Sequence, residues 1–256
     1  MGFFSKLFGD NNQMKLETDN TAQKIADLIN CDYQALNDSL DSESVMRIYV
    51  SEIANGQENG YVPLIVVSDK QILDMFECYY SNDKNFANDR ERLLATEVEN
   101  GKEFLKERFK NYIAAHQSTQ ADIDIYGHHL EKCVTSTTFL NTNKHSKLLL
   151  FRIPTDVAWK VFAWIPFGGW DECPDTECVI SVCKYWYEKY KAIPAVISGN
   201  EIQMYIPSPP TNADLALEIA EEQFAFCNDI VYQGVGSIKA LASTILNSNV
   251  WYFWWD

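Results

Sequence analysis

The last stretch of the chain, Val250-Trp251-Tyr252-Phe253-Trp254-Trp255-Asp256, carries five aromatic residues in seven positions. Chain ends usually fray. Aromatic side chains each bury about 150–250 Å² when packed, and a contiguous exposed patch of them is unfavourable in a soluble protein. The stretch is therefore expected to form a strand inserted in a sheet, with aromatics on both faces and Asp256 held at a fixed place. The rest of the sequence has to supply that sheet and the layers that cover it.

Periodicity supplies candidates for both. Apolar residues recur at helical spacing from about Asn20 to Leu40 (Ala22, Ile25, Ala26, Ile29). A second helix is predicted from Ser42 to Ala54, stopped by Gly56 and followed by a polar loop to Gly60. Tyr61 to Val67 is short, rich in β-branched residues and bounded by turn signals, which predicts a buried strand. Asp69 is placed to cap the next helix, whose Ile72, Leu73 and Phe76 face inward. A long helix is predicted over Asp89–Ala115, with Gly101 interrupting it. Its charged runs read as solvated pairs one turn apart. Asp122 to Tyr126 alternates like a strand edge, and 141–146 reads as a linker.

All four His precede position 150 and all seven Trp follow it, so a boundary is placed near residue 145. This gives a helix-rich N-terminal α/β part, residues 1–145, and a C-terminal α/β domain, residues 146–256. In the second part Leu148–Ile153 and Trp159–Pro166 read as strands. A helix is predicted over Asp175–Tyr190, with Val179, Cys183, Trp186 and Tyr190 on one face. Ala195–Ser198 and Ile202–Ile206 read as a hairpin about Gly199-Asn200. Thr211 with Asp214 predicts a capping box for a helix to Phe226, and Ser237 a cap for another with Ile238, Leu241, Ala242 and Ile245 inward. The predicted fold is α/β, a mixed sheet flanked by helices. Its C-terminal portion draws mainly on residues 148–206 and 250–256.

Charge limits the partners. The formal net charge is −15, from 21 basic and 36 acidic side chains. Such a surface repels phosphate backbones and anionic membranes and attracts a basic protein partner. No stretch approaches the roughly 20 apolar residues of a membrane span. Phe3, Phe4, Leu7 and Phe8 would share one side of a short helix, suited to a membrane surface or to docking on the fold itself. Seven cysteines, an odd number with no secretory signal before them, fit reduced thiols and a cytoplasmic location.

The C-terminal blocks carry a resemblance. Trp159 to Trp170 with Cys173-Pro174, Tyr185 to Tyr190, Glu222 to Cys227 with Asp229-Ile230-Val231 and Gln233-Gly234, and Val250 to Asp256 follow one another in order. Together they resemble a bacterial family known as domain-of-unknown-function family 4253, over about residues 150–256. Asp171 departs from the Asn expected at that place. The resemblance implies no activity, and so no catalytic residue.

Candidate chemistry is sparse. Cys173, Cys178 and Cys183 recur every five residues, a spacing that sets Cys178 and Cys183 about 140° apart on a helix and unable to converge on one ion. His128, His129, Cys133 and His145 form a looser group, and neither set predicts a metal site. Cys173 precedes a helix N-terminus, which can activate a thiol, but no His follows position 150 to act as its base. Asp171, Glu172, Glu222, Asp229 and Asp256 lie at loop or element ends, where a pair meeting in a cleft could do acid–base work. Gln233 to Ser237 lacks a phosphate-loop fingerprint, so no cofactor is expected.

Two functions remain. The first is a non-enzymatic acidic interaction protein, of the immunity type that neutralises a toxin domain. The alternative is an enzyme or small-ligand binder whose pocket lies around Trp170, Asp171, Cys173, Glu222, Cys227, Asp229, Gln233 and Asp256.

Overall fold

The computed structural model describes residues 20–80, 86–96, 100–119, 124–127 and 147–256. Residues 20–29 form helix α1, followed by β1 (Asp32–Ala35), α2 (Ser42–Asn59), β2 (Val62–Ser68), α3 (Lys70–Tyr80), α4 (Phe86–Ala95), α5 (Gly101–Thr119) and β3 (Lys147–Ile153). A 3₁₀ segment (Ala158–Ala163) then leads to α6 (Thr176–Tyr190), the hairpin β4 (Ile193–Ile197) and β5 (Glu201–Tyr205), and α7 (Ala213–Phe226). A π-helical segment (Ile230–Val235), α8 (Ile238–Ile245) and β6 (Val250–Trp254) complete the chain. The six strands form one mixed sheet in the order β1-β3-β2-β4-β5-β6.

Alternation along the strands builds a core on each face. Leu64, Val66, Phe151, Ile202, Met204, Trp251 and Phe253 point into the larger core, with α1, α3 and α6 to α8. Ile65, Val67, Leu150, Ala195 and Val250 point the other way, onto Val45 and Tyr49 of α2. The Tyr49 hydroxyl is buried there and donates to the Pro194 carbonyl at 3.0 Å. Every residue of β2 is buried, as its continuous apolar run predicts. β2 pairs antiparallel with β3 and parallel with β4, so it separates two strands of the C-terminal part. The sheet thus takes strands from both sides of residue 145.

The aromatic tail is strand β6, at the edge of the sheet beside β5. Trp251, Phe253 and Trp255 are buried, while Tyr252 is exposed. The hairpin about Gly199-Asn200 forms as expected, and so do the caps at Asp69 and Ser237, while Asp175 caps α6 in the same way. Each of these three side chains accepts a backbone N–H at its helix start, from Ile72, Cys178 and Ala240 respectively.

Six local expectations are corrected. The first helix ends at residue 29, where Asn30 takes a left-handed φ of 52°, and a short exposed strand follows it. Gly56 does not stop α2. A side chain there would collide with the Tyr61 carbonyl, and the helix runs on to a left-handed cap at Gly60. The long predicted helix is two helices, because Gly101 begins α5 against the Ser181 backbone, where any Cβ would clash. Trp159–Pro166 is not a strand. Both edges of β3 are occupied by β1 and β2, and Val161 to Phe167 bury themselves by folding into a 3₁₀ turn under the sheet. Asn212, not Thr211, caps α7, its side chain accepting the Leu215 N–H at 2.8 Å.

Residues 124–126 form a bend, not a strand edge, and the Ile125 and Tyr126 carbonyls accept the Ile238 and Lys239 N–H groups of α8. The opening Phe3–Phe8 stretch, Val98, Asp122, Ile123, the 141–146 linker and the group His128, His129, Cys133 and His145 lie outside the described residues.

Because β2 fills the gap between β3 and β4, residues 149–256 expressed alone are expected to show no cooperative thermal unfolding, whereas residues 20–256 unfold cooperatively. Circular dichroism melts of the two fragments decide this, and a sharp transition in the short one contradicts it.

Candidate functional site

Six of the eight predicted site residues meet at the C-terminal end of β6. The Gly169 N–H donates to the carbonyls of Cys173 and Pro174, at 3.3 and 3.0 Å, which closes the loop bearing Trp170 and Cys173. Arg108 of α5 ties that loop down by donating to the Glu172 carbonyl at 2.8 Å. The Trp170 ring packs edge-on against Phe167 at 4.9 Å, and Phe167 packs against Trp255 at 5.5 Å. Cys227 ends α7, and its thiol donates to the Trp254 carbonyl at 3.0 Å. Asp229 accepts the Gln233 amide on one oxygen and the Asp256 backbone N–H on the other, each at 3.2 Å.

Asp171 and Glu222 do not join them. Asp171 is exposed in the same loop, in a left-handed turn with φ of 45°. Glu222 lies between α6 and α7. It accepts the buried Trp186 indole N–H at 2.9 Å, the Tyr185 hydroxyl at 2.7 Å and the Lys189 ammonium at 3.0 Å. These bonds make it a tie between two helices.

The two thiols are sealed. Burial pushes Cys173 far up, with the Cys227 thiol adding to the rise, and burial pushes Cys227 up to about 12. The thiolate is the nucleophilic form, so both groups are held in the unreactive one. The six described cysteines are free thiols. Cys183 is buried and Cys178 only half-buried, on different sides of α6. Among the described residues, no three His, Cys, Asp or Glu side chains gather within reach of one metal ion. Ser237 Oγ accepts the Ala240 N–H at 3.1 Å, so the start of α8 is capped from within.

The sheet also gathers carboxylates that local patterns do not connect. β2 and β4 end, β5 begins and β6 ends at one rim. Asp69 follows β2, Asp74 lies one turn into α3, Glu201 opens β5, and Asp229 and Asp256 adjoin at the end of β6. Burial raises the Asp69 carboxyl, and the charges of Glu201 and Asp74 raise it further. Lys70 and Lys147 sit at the β2–β3 side of this rim. Sequence reasoning identified Asp69 only as a helix cap and did not reach Glu201. Their proximity comes from strand pairing, which no local spacing encodes.

The C-terminal part of the chain, residues 149–256, matches DUF4253, a domain of unknown function. The match contains β3 to β6, α6 to α8 and all eight predicted site residues. β2 and α5, which complete the sheet and pin the Cys173 loop, lie outside the DUF4253 segment. No curated protein matches the chain, and neither does any solved structure.

Two predictions follow from this geometry. Glu222→Ala leaves the buried Trp186 N–H without its acceptor and is expected to cost about 1–3 kcal/mol in denaturant unfolding. Glu222→Gln, which keeps an acceptor oxygen, is expected to cost less, and equal losses contradict the tie. The thiols carry a pH signature. Their folded values lie above the ordinary 9.0, so the folded chain keeps protons that the unfolded chain releases. That contribution is intact below about pH 9 and is lost as pH rises, by about 1.4 kcal/mol per pH unit per thiol. Urea melts at about pH 8 and about pH 10 are expected to show a smaller loss of stability in the Cys173→Ala/Cys227→Ala variant than in the parent. An equal loss contradicts the assignment.

Proposed function

We propose that this chain is a non-enzymatic interaction protein of the immunity kind, a cytoplasmic bacterial protein that neutralises a basic protein partner such as a toxin domain. The observation that carries the proposal is the acidic rim of the sheet. Asp69, Asp74, Glu201, Asp229 and Asp256 converge there on a chain of net charge −15. Like charges held together on a rigid edge raise the local potential, which speeds the encounter with a cationic surface and selects against anionic ones. Free thiols in the described residues agree with a reducing compartment. The alternative, an enzyme or small-ligand binder using the Cys173–Cys227 cluster, has less support. Its thiols are buried and protonated, and Asp229 is already engaged by Gln233 and Asp256.

Capture from the protein's own host is expected to return one tight basic partner. Asp74 and Asp256 are exposed and Glu201 partly so, so the triple variant Asp74→Asn/Glu201→Gln/Asp256→Asn is expected to fold normally. It should bind that partner about tenfold more weakly, chiefly through slower association, and the difference should shrink at high salt. Capture of no partner, or of one that binds the triple variant equally well, contradicts the proposal.

A further inference from the structure

The outer side of β6 bears an open backbone edge beside a preformed hollow. The Ile206 N–H donates to the Asn249 carbonyl at 2.8 Å, and the Trp255 N–H to the Asn200 carbonyl at 3.1 Å. With the β5–β6 register, this parity turns the backbone groups of Trp251 and Phe253 toward β5 and those of Val250, Tyr252 and Trp254 outward. Ser248 satisfies both Val250 groups, and the Cys227 thiol satisfies the Trp254 carbonyl. The Trp254 N–H also faces the Cys227 sulfur, and the Tyr252 N–H and C=O then face outward with no partner among the described residues.

Beside this edge lies a hollow of about 210 Å³. β6 forms one wall, and Gln223, Ile230, Val235, Leu241 and Ile245 are on the other, with Gly234 among them. Two buried donors belong to its lining residues, the Gln223 Nε2 and the Trp251 Nε1, and neither has a hydrogen-bond partner. Buried polar groups of this kind are normally paired. The edge and the buried amide both lack partners, and an extended backbone with its carbonyls supplies them. Asp229, which adjoins the lining residue Ile230, accepts the Asp256 N–H, and Glu201 accepts the hydroxyl of the lining residue Tyr252 at 2.7 Å.

We propose that the outer edge of β6 binds an extended, cationic segment of a partner protein, which adds to the sheet as a seventh strand. One apolar side chain of that segment fills the hollow, and its cationic side chains meet Asp229, Asp256 and Glu201. Main-chain hydrogen bonds give such strand addition its affinity, and the hollow and the carboxylates give it its selectivity. The inference rests on the acidic-rim reading for its choice of a cationic partner, and adds the place and the form of the contact.

The probe is a capped octapeptide of alternating Val and Lys, compared with a twin N-methylated on alternate amides and with a Val–Glu counterpart. The N-methylated twin keeps the charge but loses the donors that strand pairing needs. Saturable binding of the Val–Lys peptide is expected, with the twin weaker by about tenfold and the Val–Glu peptide weaker still. Gly234→Phe blocks the hollow. A Cβ at Gly234 meets only the Asp229 carbonyl oxygen, at an ordinary 3.7 Å, so the variant is expected to fold. It should bind the Val–Lys peptide about tenfold more weakly at an unchanged melting temperature.

The peptide comparison on the unaltered protein stands whatever Gly234→Phe does. Equal binding of the Val–Lys peptide and its methylated twin overturns strand addition and leaves the acidic-rim reading intact. Absence of binding by every cationic peptide overturns the inference, while capture of the host partner still tests the rim. A dimer in sedimentation that Gly234→Phe dissolves assigns the edge to a second copy of the chain and also overturns the inference.

Discussion

The indole of Trp186 fixes the relation between the helices and the edge of the sheet. It stacks on Phe253 at 5.4 Å and 13°, and meets Phe226 and Trp251 edge-on at 5.1 and 5.4 Å. Its N–H is held by Glu222. Offset and edge-on aromatic pairs contribute about 0.5–1.5 kcal/mol each beyond the area they bury, and this cluster joins α6, α7 and β6 through one side chain. Trp255 extends it to Phe226 and Phe167, at 5.4 and 5.5 Å. The tail is thereby anchored from three directions, and the loops that follow α7 and the 3₁₀ segment close around it.

That anchoring decides what the surface offers. With Trp251, Phe253 and Trp255 committed to the core, β6 ends where β2 and β4 end, and five carboxylates from distant parts of the chain come to lie along one rim. The same commitment seals Cys173 and Cys227 behind the tail. The place where sequence motifs are densest is thus packed rather than reactive, and the charged features lie around its margin.

Much of this was legible in the chain itself. A run such as Val62 to Val67, bounded by turn residues, has few alternatives to a buried strand, and Asp69 and Ser237 announce helix starts because their side chains bond the first-turn amides. The aromatic tail declared its own burial. Trp159 to Pro166 misled because an all-apolar segment looks the same whether buried as a strand or as a turn. Strand β1 was hidden because its four residues are exposed and lack any alternation. The insertion of β2 between β3 and β4 is a choice among distant edges, and no local pattern records it.

The candidate site followed the same division. The Cys173 loop, Cys227, Asp229, Gln233 and Asp256 come together because they lie beside elements whose ends could be read. Glu222 looked equally available as an acid–base group, but only the fold reveals that it holds the Trp186 indole. Asp74 and Glu201 carried no local signal, since each joins the rim through strand pairing and helix placement.

The central claim is that β6 is locked into the sheet through β5 and the Trp186 cluster. Residue-resolved amide hydrogen exchange measures this directly. The N–H groups of Trp251, Phe253 and Trp255 are expected to exchange as slowly as those in the middle of β2, with Tyr252 exchanging much faster on the outer edge. Rapid exchange at all four positions would show the tail free of the sheet and contradict the account.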